Sequence, residues 1–535
     1  MTHFRLWAPA HPRVDLELSG RIVPMRPASD GWHAADVPAP AGARYRFRIG
    51  DVAVPDPASR RQDDEWSVVT DPDAYRWQDA AWRGRPWEET VLYELHAGLM
   101  GGFEGIEDRL PALAELGVTA VELMPIAQFP GNRNWGYDGA LPYAPAAVYG
   151  TPDDLKRLVD RAHGLELMVF LDVVYNHFGP DGNYLPLYAP GFFREDRHTP
   201  WGAGIDFRKE QVRRFFIDNA LYWVREFHID GLRLDAVHAI GDDGFVADLA
   251  HAVRDGAAGR QVHLVIENEH NDARLLAEGG FAQWNDDFHH AVHVLLTGES
   301  EGYYGPYADA PARGLATSLA GGFICDRSGP GPRLSPTAFV NFLQNHDHVG
   351  NRAFGERLTV LADETALQAA IGLLLLAPPI PLIFFGEEAG ARESFLYFCD
   401  HADDKLADAV REGRRNEFAK FSEFRDPAQR ARIPDPNAPE TFARSRPRLD
   451  GGAEWRALYK ELLALRRAHI VPRLKDCIAE GADVVGPKAV LASWRLGDGT
   501  RLTILANLGR EDVSCSLPEA TPIWDRAGTR CWIET

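Results

Sequence analysis

The chain has 535 residues, of which 45% are hydrophobic and 25% charged, a composition typical of globular proteins. Its 57 Lys and Arg against 78 Asp and Glu give a formal net charge of −21, which argues against nucleic acid or an anionic membrane surface as a partner and favours a neutral ligand. Its 5 cysteines never stand in a C-x-x-C spacing, which argues against a disulfide framework and a zinc site and for a reducing compartment.

Two further features bear on where the protein works. The first residues lack a basic stretch followed by an apolar run, so we expect no signal peptide. The longest apolar run, residues 371–381, is short and interrupted by prolines, so we expect no membrane span. The sequence therefore predicts a cytoplasmic protein and leaves its oligomeric state open.

The chain begins with short alternating runs separated by Gly, Pro and Asp, a pattern typical of a small β module. We predict an accessory β-sandwich domain over residues 1–86. At the other end, the runs 489–496 and 501–508 flank the turn Gly497-Asp498-Gly499 and predict a hairpin. We assign residues 475–535 to a C-terminal β domain.

Residues 87–474 alternate between strand and helix patterns. Thr151 followed by Pro152 and two acids predicts a helix start, and the buried stripe that follows ends at Gly164. Eight apolar runs predict buried strands: 91–96, 118–124, 167–174, the run through Arg233 and Asp235, 262–266, 282–284, 338–343 and 380–385. About eight such strand–helix units indicate an α/β fold, a closed (β/α)8 TIM barrel.

The stretch I-D-G-L-R-L-D-A-V-H, residues 229–238, places Arg233 and Asp235 on one face of a strand. The arginine would keep the carboxylate ionised, as a glycoside-cleaving nucleophile requires. A buried structural ion pair explains this stretch equally well when it is taken alone.

Polar residues also follow the other barrel strands, as Asn176-His177, Glu267 and Asn345-His346-Asp347. Active sites of such barrels lie at the carboxyl ends of the strands, so we expect these side chains to meet. Repulsion between carboxyl groups pushes their pKa values apart, so that one stays ionised while another keeps its proton. Retaining glycosidases use such a pair, about 5–5.5 Å apart.

These stretches, D-V-V-Y-N-H, G-L-R-L-D-A-V-H, the strand-end Glu and N-H-D, resemble in type and order the four sequence regions of the α-amylase family of glycoside hydrolases. The resemblance implies that Asp235 is the nucleophile, Glu267 the general acid/base and Asp347 the transition-state stabiliser. It implies contacts to the sugar at the cleavage site from Tyr137, His177, Arg233 and His346.

Further stretches, among them Y-E-L-H at 93–96, R-N-W-G-Y-D-G at 133–139 and Q-W-N-D-D-F-H-H at 283–290, are similar to the malto-oligosyltrehalose trehalohydrolase family. The resemblance implies that the substrate is maltooligosyl trehalose, that the α-1,4 bond next to its terminal trehalose is hydrolysed with retention, and that the N-terminal domain is of a glucan-binding type. It also implies substrate contacts at His238, Trp284 and Asp286.

Two departures from that family leave alternatives open. Residues 97–103 are rich in Gly and Met, where the family has a loop with Thr and Pro. Ile266 precedes Glu267, and Asn268-Glu269 follow it, so Glu269 is a rival acid; we favour Glu267 because it directly follows the apolar run.

The alternative functions are a glucan branching enzyme and, from another class, a non-catalytic glucan-binding protein. The sequence contains no run with the spacing of a calcium-binding loop, so we expect no metal and no cofactor.

Overall fold

The computed structural model describes residues 1–199, 201–324 and 332–534 of the chain. At its centre is a closed barrel of eight parallel strands, with antiparallel sheets formed by the residues before and after it. This confirms the predicted (β/α)8 TIM barrel. The barrel strands are Leu92–Leu95, Ala120–Leu123, Met168–Val173, Gly231–Leu234, His263–Ile266, Ala282–Trp284, Phe339–Phe342 and Ile380–Phe384.

Each barrel strand pairs with the next in parallel, and the first pairs with the eighth through Tyr93 and Ile383. Every one of these strands lies within one of the predicted apolar runs, because both faces of a barrel strand are buried and the runs are therefore nearly continuous. All eight carboxyl ends lie on one rim, so residues far apart in sequence meet there.

Helices cover the outside of the barrel. The side chain of Thr151 accepts a hydrogen bond from the backbone N–H of Asp154, and the Asp154 side chain accepts one from the backbone N–H of Thr151; this capping box starts the helix Pro152–His163. The longer helices are Gly102–Leu116, Pro152–His163, Glu210–Glu226, Asp243–Gly256, Asp286–Thr297, Pro311–Gly321, Glu364–Leu376, Asp404–Glu417 and Ala453–Leu465. A short helix, Ala97–Met100, follows the first barrel strand.

The N-terminal residues form two antiparallel sheets packed face to face, with the rings of Phe4 and Tyr45 4.8 Å apart between them. The N-terminal strands are Thr2–Trp7, Asp15–Leu18, Arg21–Pro24, Arg26–Pro27, Trp32–Val37, Arg44–Ile49, Val52–Val54, Gln62–Asp63 and Trp66–Val68. The C-terminal sheet consists of Ile478–Gly486, Ala489–Arg495, Arg501–Asn507, Trp524–Arg526 and Thr529–Glu534, and its second and third strands form the predicted hairpin. The exact domain boundaries, after residues 86 and 474, stay predictions.

The segment that joins the first sheets to the barrel is fixed by buried charges at the amino ends of the strands. His163 bonds to Asp79 through Nδ1 and to Asp230 through Nε2, each at 2.8 Å. Asp79 also accepts from His228 at 2.7 Å, and Trp82 donates to Asp230 at 2.8 Å. These contacts hold the connecting segment against the barrel, on the side opposite the rim that carries the candidate site.

Within the described ranges, no helix is long and apolar enough to cross a membrane. The described cysteines, Cys399, Cys477, Cys515 and Cys531, are free thiols, and Cys325 lies outside the described residues.

Candidate active site

The site is built around the guanidinium group of Arg233, which is fully buried near the end of the fourth barrel strand. Its Nη1 donates to Asp172 at 2.7 Å and to Asp235 at 2.8 Å. Its Nη2 donates to Glu267 at 2.6 Å. One cation therefore holds three carboxyl groups that come from three different strands of the barrel.

Asp235 is held on both of its carboxyl oxygens. Oδ1 accepts from Arg233, and Oδ2 accepts from Asn176 Nδ2 at 2.7 Å. Burial alone would raise the pKa of Asp235. The electrostatic effects of Arg233 and His177, together with the hydrogen bond from Asn176, outweigh burial, so the pKa lies below its usual value. Asp235 is thus an oriented carboxylate that stays ionised.

Glu267 shares the same arginine but has the opposite titration. Burial is the main cause that holds the pKa of its carboxyl well above the usual value; Arg233 opposes this, and the negative charge of Asp235 adds to it. The Glu267 carboxyl also accepts from the backbone N–H of Ala236 at 3.1 Å. Ala236 has a φ of 41°, a left-handed conformation that costs a non-glycine residue free energy and that here aims its N–H at the acid.

Asp347 lies across the barrel mouth, in the first turn of the short helix His346–Gly350. Its Oδ1 accepts from Asn351 Nδ2 at 3.1 Å and lies 3.4 Å from Nε2 of His346. About a third of the side chain is exposed, so a ligand in the mouth can reach this carboxyl group.

Two more of the predicted sugar contacts lie at the same place. The hydroxyl of Tyr137 donates to Asp172 at 2.6 Å, and its ring stacks on His346 with the centroids 5.0 Å apart. His177 bonds through Nε2 to the carbonyl of Tyr137 at 2.9 Å, and the half-exposed ring of Trp201 stacks over it at 5.4 Å. Aromatic and imidazole groups thus line the entrance to the carboxyl groups.

Taken together, these groups supply an ionised carboxylate and a protonated carboxylic acid on one guanidinium, with a third carboxyl group opposite them. The pair has the protonation states that a retaining glycosidase needs for its nucleophile and its acid. The structure thus places the carboxyl groups of Asp235 and Glu267 together on Arg233, and their catalytic roles stay predictions.

Comparison with known proteins gives matches over the whole chain. Residues 62–186 match the family model "Alpha amylase, catalytic domain", and residues 479–530 match a domain of unknown function, DUF3459. A malto-oligosyltrehalose trehalohydrolase from Deinococcus radiodurans is 38% identical, with 97% of this chain and 94% of that protein covered. The chain belongs to the malto-oligosyltrehalose trehalohydrolase family. This confirms the resemblance drawn from the sequence.

Two other relatives differ in how much of this chain they match. A solved structure titled putative alpha amylase, from Salmonella typhimurium, is 41% identical with a TM-score of 0.92, and the match covers 100% of this chain and 97% of that one. A 1,4-alpha-glucan branching enzyme from Thiobacillus denitrificans is 37% identical, but the match covers only 44% of this chain and 37% of that protein. The trehalohydrolase family is thus matched along the chain, and the branching enzyme over part of it.

In this trehalohydrolase-family chain, the remaining predicted contacts lie in different settings. Trp284 is buried beneath Arg233, its ring 4.1 Å from the guanidinium carbon, so it supports the arginine from below rather than facing the mouth. Asp286 begins the next helix and accepts from His348 at 3.0 Å, with a third of its side chain exposed. His238 lies at the rim, where its Nδ1 accepts from the backbone N–H of Glu269 at 3.4 Å.

The rival acid Glu269 lies away from the guanidinium group. More than half of its side chain is exposed, and its closest charged neighbour is His270 at 3.6 Å. Of the two glutamates, only Glu267 contacts Arg233 among the described hydrogen bonds. This placement supports the choice of Glu267 made from the sequence.

Sequence reasoning did not assign roles to Asp172, Asn176 and Glu94, although all three stand inside the quoted stretches. Asp172 and Asn176 orient Arg233 and Asp235, and Glu94 bonds to His346. The signal was their position at strand ends, but nothing in the sequence says which polar group each one contacts.

Other buried acids and histidines of the barrel are engaged in the scaffold. Glu387 accepts from Gln344 at 2.9 Å and from Tyr459 at 3.0 Å behind the barrel wall. His289 stacks on His348 at 3.8 Å and bonds to a backbone carbonyl, and His293 bonds to Glu299 at 2.8 Å. In the part of the chain that the structure describes, no three His, Cys, Asp or Glu side chains are grouped to hold a metal ion.

Proposed function

We propose that this protein hydrolyses the α-1,4-glucosidic bond next to the terminal trehalose of maltooligosyl trehalose and releases trehalose by retaining double displacement. The observation that carries the proposal is that Arg233 binds two carboxyl groups, Asp235 and Glu267, whose pKa values are shifted in opposite directions. The trehalohydrolases to which the chain is similar, of which the one from Deinococcus radiodurans is 38% identical, support the choice of substrate.

In the first step, Asp235 attacks C1 of the glucose unit that precedes trehalose. Glu267 gives its proton to the glycosidic oxygen as the C1–O bond breaks, so trehalose leaves as a neutral alcohol and the oligosaccharide remains as an ester on Asp235. The ionised state of Asp235 and the retained proton of Glu267 both favour this step.

In the second step, Glu267, now a carboxylate, takes a proton from water as that water attacks C1 and displaces Asp235. Two inversions at C1 give net retention, and the released oligosaccharide has the α configuration at its new reducing end. Glu267 is again protonated and Asp235 is again ionised, which closes the cycle.

The other predicted residues have supporting roles in this proposal. Asp347 faces the mouth and stabilises positive charge that develops on the sugar ring in both transition states. Tyr137 and His177 hold the sugar at the cleavage site, where their side chains lie beside the carboxyl groups. His238 and Asp286, at the rim, contact the trehalose end.

We also propose that the reaction belongs to trehalose biosynthesis and takes place in the cytoplasm. The buried free thiols of Cys399, Cys477 and Cys531 suit a reducing compartment, because disulfide pairing is rare there. Detection of the protein in an oxidising compartment by fractionation would contradict this assignment.

The alternative of a branching enzyme shares the two carboxyl groups and would transfer the oligosaccharide to a glucan hydroxyl instead of water. Its relative covers less than half of this chain, which disfavours it. A non-catalytic glucan-binding protein has no need for a carboxylic acid held protonated beside a carboxylate, so the site argues against it.

Product analysis distinguishes these functions. The enzyme is incubated with maltopentaosyl trehalose and, separately, with a maltodextrin of the same length. We expect free trehalose from the first substrate and little cleavage of the second. Equal cleavage of both would indicate a general glucan hydrolase, longer or branched products a transferase, and no product a binding protein.

The role of Asp235 is tested by Asp235→Asn, which keeps the shape of the side chain and removes its charge. We expect kcat to fall on the order of 10⁴-fold, because no carboxylate remains to attack C1, while folding and oligosaccharide binding persist. Glu269→Gln serves as the matched control, since this acid is exposed and, unlike Glu267, makes no described hydrogen bond to Arg233. Retained activity in Asp235→Asn, or a loss in Glu269→Gln as large as in Glu267→Gln, would contradict the assignment.

A further inference from the structure

Glu94, on the first barrel strand, makes two hydrogen bonds to one residue. Its Oε1 lies 2.5 Å from Nδ1 of His346, and its Oε2 accepts from the backbone N–H of His346 at 3.0 Å. Both side chains are almost completely buried. Because each carboxyl oxygen is used, the imidazole ring is fixed both in position and in orientation.

The same geometry decides which nitrogen of His346 faces the reacting groups. With Nδ1 donating to Glu94, Nε2 points to Asp347, whose Oδ1 is 3.4 Å away. Rings enclose the imidazole: Tyr137 stacks on it at 5.0 Å, Trp135 meets it edge-on at 5.5 Å and Trp284 is tilted at 5.9 Å. A flipped ring would place a C–H group instead of Nδ1 against Glu94 and lose that bond, so the observed orientation is favoured, with the ring between two carboxyl groups.

Burial alone would lower the pKa of His346, but the negative charges of Asp347 and Glu94 and the hydrogen bond to Glu94 outweigh it and raise the pKa to about 9. Arg233 acts in the opposite direction. The other titratable groups that interact with this ring electrostatically include His96, Glu122, Asp172, Asp235, Asp286 and His348.

The neighbouring imidazole of His96 does not carry a positive charge. His96, on the same chain segment as Glu94, accepts from the backbone N–H of Leu99 at Nδ1 and donates through Nε2 to a backbone carbonyl, so it is neutral. Burial lowers the pKa of His96 to about 4, and the charge of His346 contributes to that shift. His346 is therefore the imidazole that carries charge at this end of the barrel.

The adjacent strand provides a natural comparison. Glu122 is the register partner of Glu94 and is fully buried, and its carboxyl group makes no hydrogen bond to any described residue. Burial is the main cause that raises the pKa of Glu122 well above its usual value. The two glutamates occupy equivalent positions on neighbouring strands, and only Glu94 is paired with a cation.

We propose that Glu94 is a positioning residue that holds His346 as a cation, with Nε2 directed at Asp347, and thereby fixes a positive charge beside the reacting sugar. The inference rests on the proposed function of the site and adds to it a residue that touches neither the sugar nor the catalytic carboxyl groups. The imidazolium can donate to a sugar hydroxyl and keep Asp347 in place while the glycosidic bond is broken.

Glu94→Gln separates the charge from the shape. A glutamine side chain fills the same space, but its amide has only one oxygen and donates from its nitrogen. It can bond to the backbone N–H of His346 through oxygen and to Nδ1 through its NH₂ group, which leaves the imidazole neutral with its proton on Nε2. The ring then stays in place and loses its charge.

The first test is the titration of the His346 ring by NMR of protein with ¹⁵N-labelled histidine, the signal being identified by its loss in His346→Gln. We expect the wild-type ring to titrate above pH 8 and the midpoint in Glu94→Gln to fall by at least about one unit. Glu122→Gln is the control, and its ring should titrate as in the wild type. A wild-type midpoint below pH 7 would overturn the proposal even if Glu94→Gln does not fold.

The second test is kinetic, on maltopentaosyl trehalose. For Glu94→Gln we expect kcat to fall about tenfold or more with little change in KM, because the lost charge acts in the transition state. Glu122→Gln should keep kcat within about twofold of the wild type. An equal loss of kcat in both variants, or an unchanged kcat in Glu94→Gln, would contradict the positioning role of Glu94.

The two proposals fail in different ways. A wild-type enzyme that does not release trehalose contradicts the proposed function, whatever the NMR titration shows. A wild-type enzyme that releases trehalose, with a Glu94→Gln variant whose His346 still titrates above pH 8, contradicts only the role of Glu94.

Discussion

At the scale of single residues, the site depends on one guanidinium group that binds two carboxyl groups with oppositely shifted pKa values. Arg233 bonds to both Asp235 and Glu267, but Asp235 has a second donor in the side chain of Asn176, whereas Glu267 has only a backbone N–H. Arg233, His177 and the hydrogen bond from Asn176 keep Asp235 ionised, whereas burial, to which the negative charge of Asp235 adds, keeps the proton on Glu267.

This difference predicts a bell-shaped dependence of kcat/KM on pH. The lowered pKa of Asp235 means that activity is lost on the acid side only when that group is protonated, below its usual range. The raised pKa of Glu267 means that activity is lost on the alkaline side only when its proton leaves, above its usual range. The profile, measured from pH 3 to 10, should therefore have a broad maximum that includes neutral pH; a maximum confined below pH 4 would contradict the assignment.

The acid role of Glu267 predicts a dependence on the leaving group. Glu267→Gln should lose on the order of 10³-fold in kcat/KM on maltopentaosyl trehalose, because nothing then protonates the departing oxygen. On α-maltosyl fluoride, whose leaving group needs no proton, the formation of the glycosyl-enzyme should be far less affected. Equal losses on the two substrates would show that Glu267 does not act as the acid.

At the scale of helices and strands, the sequence predicted the eight barrel strands and the helix start at Thr151, because continuous apolar runs and capping residues are local signals. It could not predict that Trp284 lies beneath Arg233 or that Asp172 and Asn176 orient the catalytic groups. Those contacts depend on how neighbouring strands are aligned when the barrel closes, which no single stretch of sequence encodes.

The connecting segment before the barrel is an element whose stability should depend on pH. The charge of Asp230 and the bonds to both carboxylates raise the pKa of His163 against the effect of burial, while bonds from His163 and His228 lower the pKa of Asp79 against the same effect. The contribution of His163 to the free energy of unfolding is complete below its unfolded pKa of about 6.5 and is lost as pH rises through its raised folded pKa. The contribution of Asp79 is present above its unfolded pKa of about 3.8 and is lost as pH falls through its lowered folded pKa.

Asp79→Asn should therefore destabilise the fold most between about pH 4 and 6.5, by roughly 3 kcal/mol, because it leaves His163 with one carboxylate fewer in a buried site. Denaturant unfolding followed by far-ultraviolet circular dichroism at pH 5 and pH 9 measures the effect. Asp73→Asn, at an exposed position in the same segment, is the control and should change stability by less than about 0.5 kcal/mol. A loss that is larger at pH 9 than at pH 5 would contradict the argument.

At the scale of the whole molecule, the barrel brings together side chains that are 253 positions apart in the case of Glu94 and Asp347, and nearby His346 joins them. A net charge of −21 is compatible with this site because its proposed substrate is an uncharged oligosaccharide. The protein's activity is thus a property of the closed barrel, since each of the carboxyl groups bound to Arg233 comes from a different strand end.

Double displacement through Asp235 is tested by the identification of the covalent glycosyl-enzyme. The protein is treated with 5-fluoro-α-maltosyl fluoride, which forms the ester faster than water removes it, and is digested with pepsin for mass spectrometry. We expect a maltosyl-derived label on the peptide that contains Asp235, and no label in Asp235→Asn. A label on Glu267 or Glu269, or an active wild-type enzyme that gives the inverted anomer and no label, would contradict it.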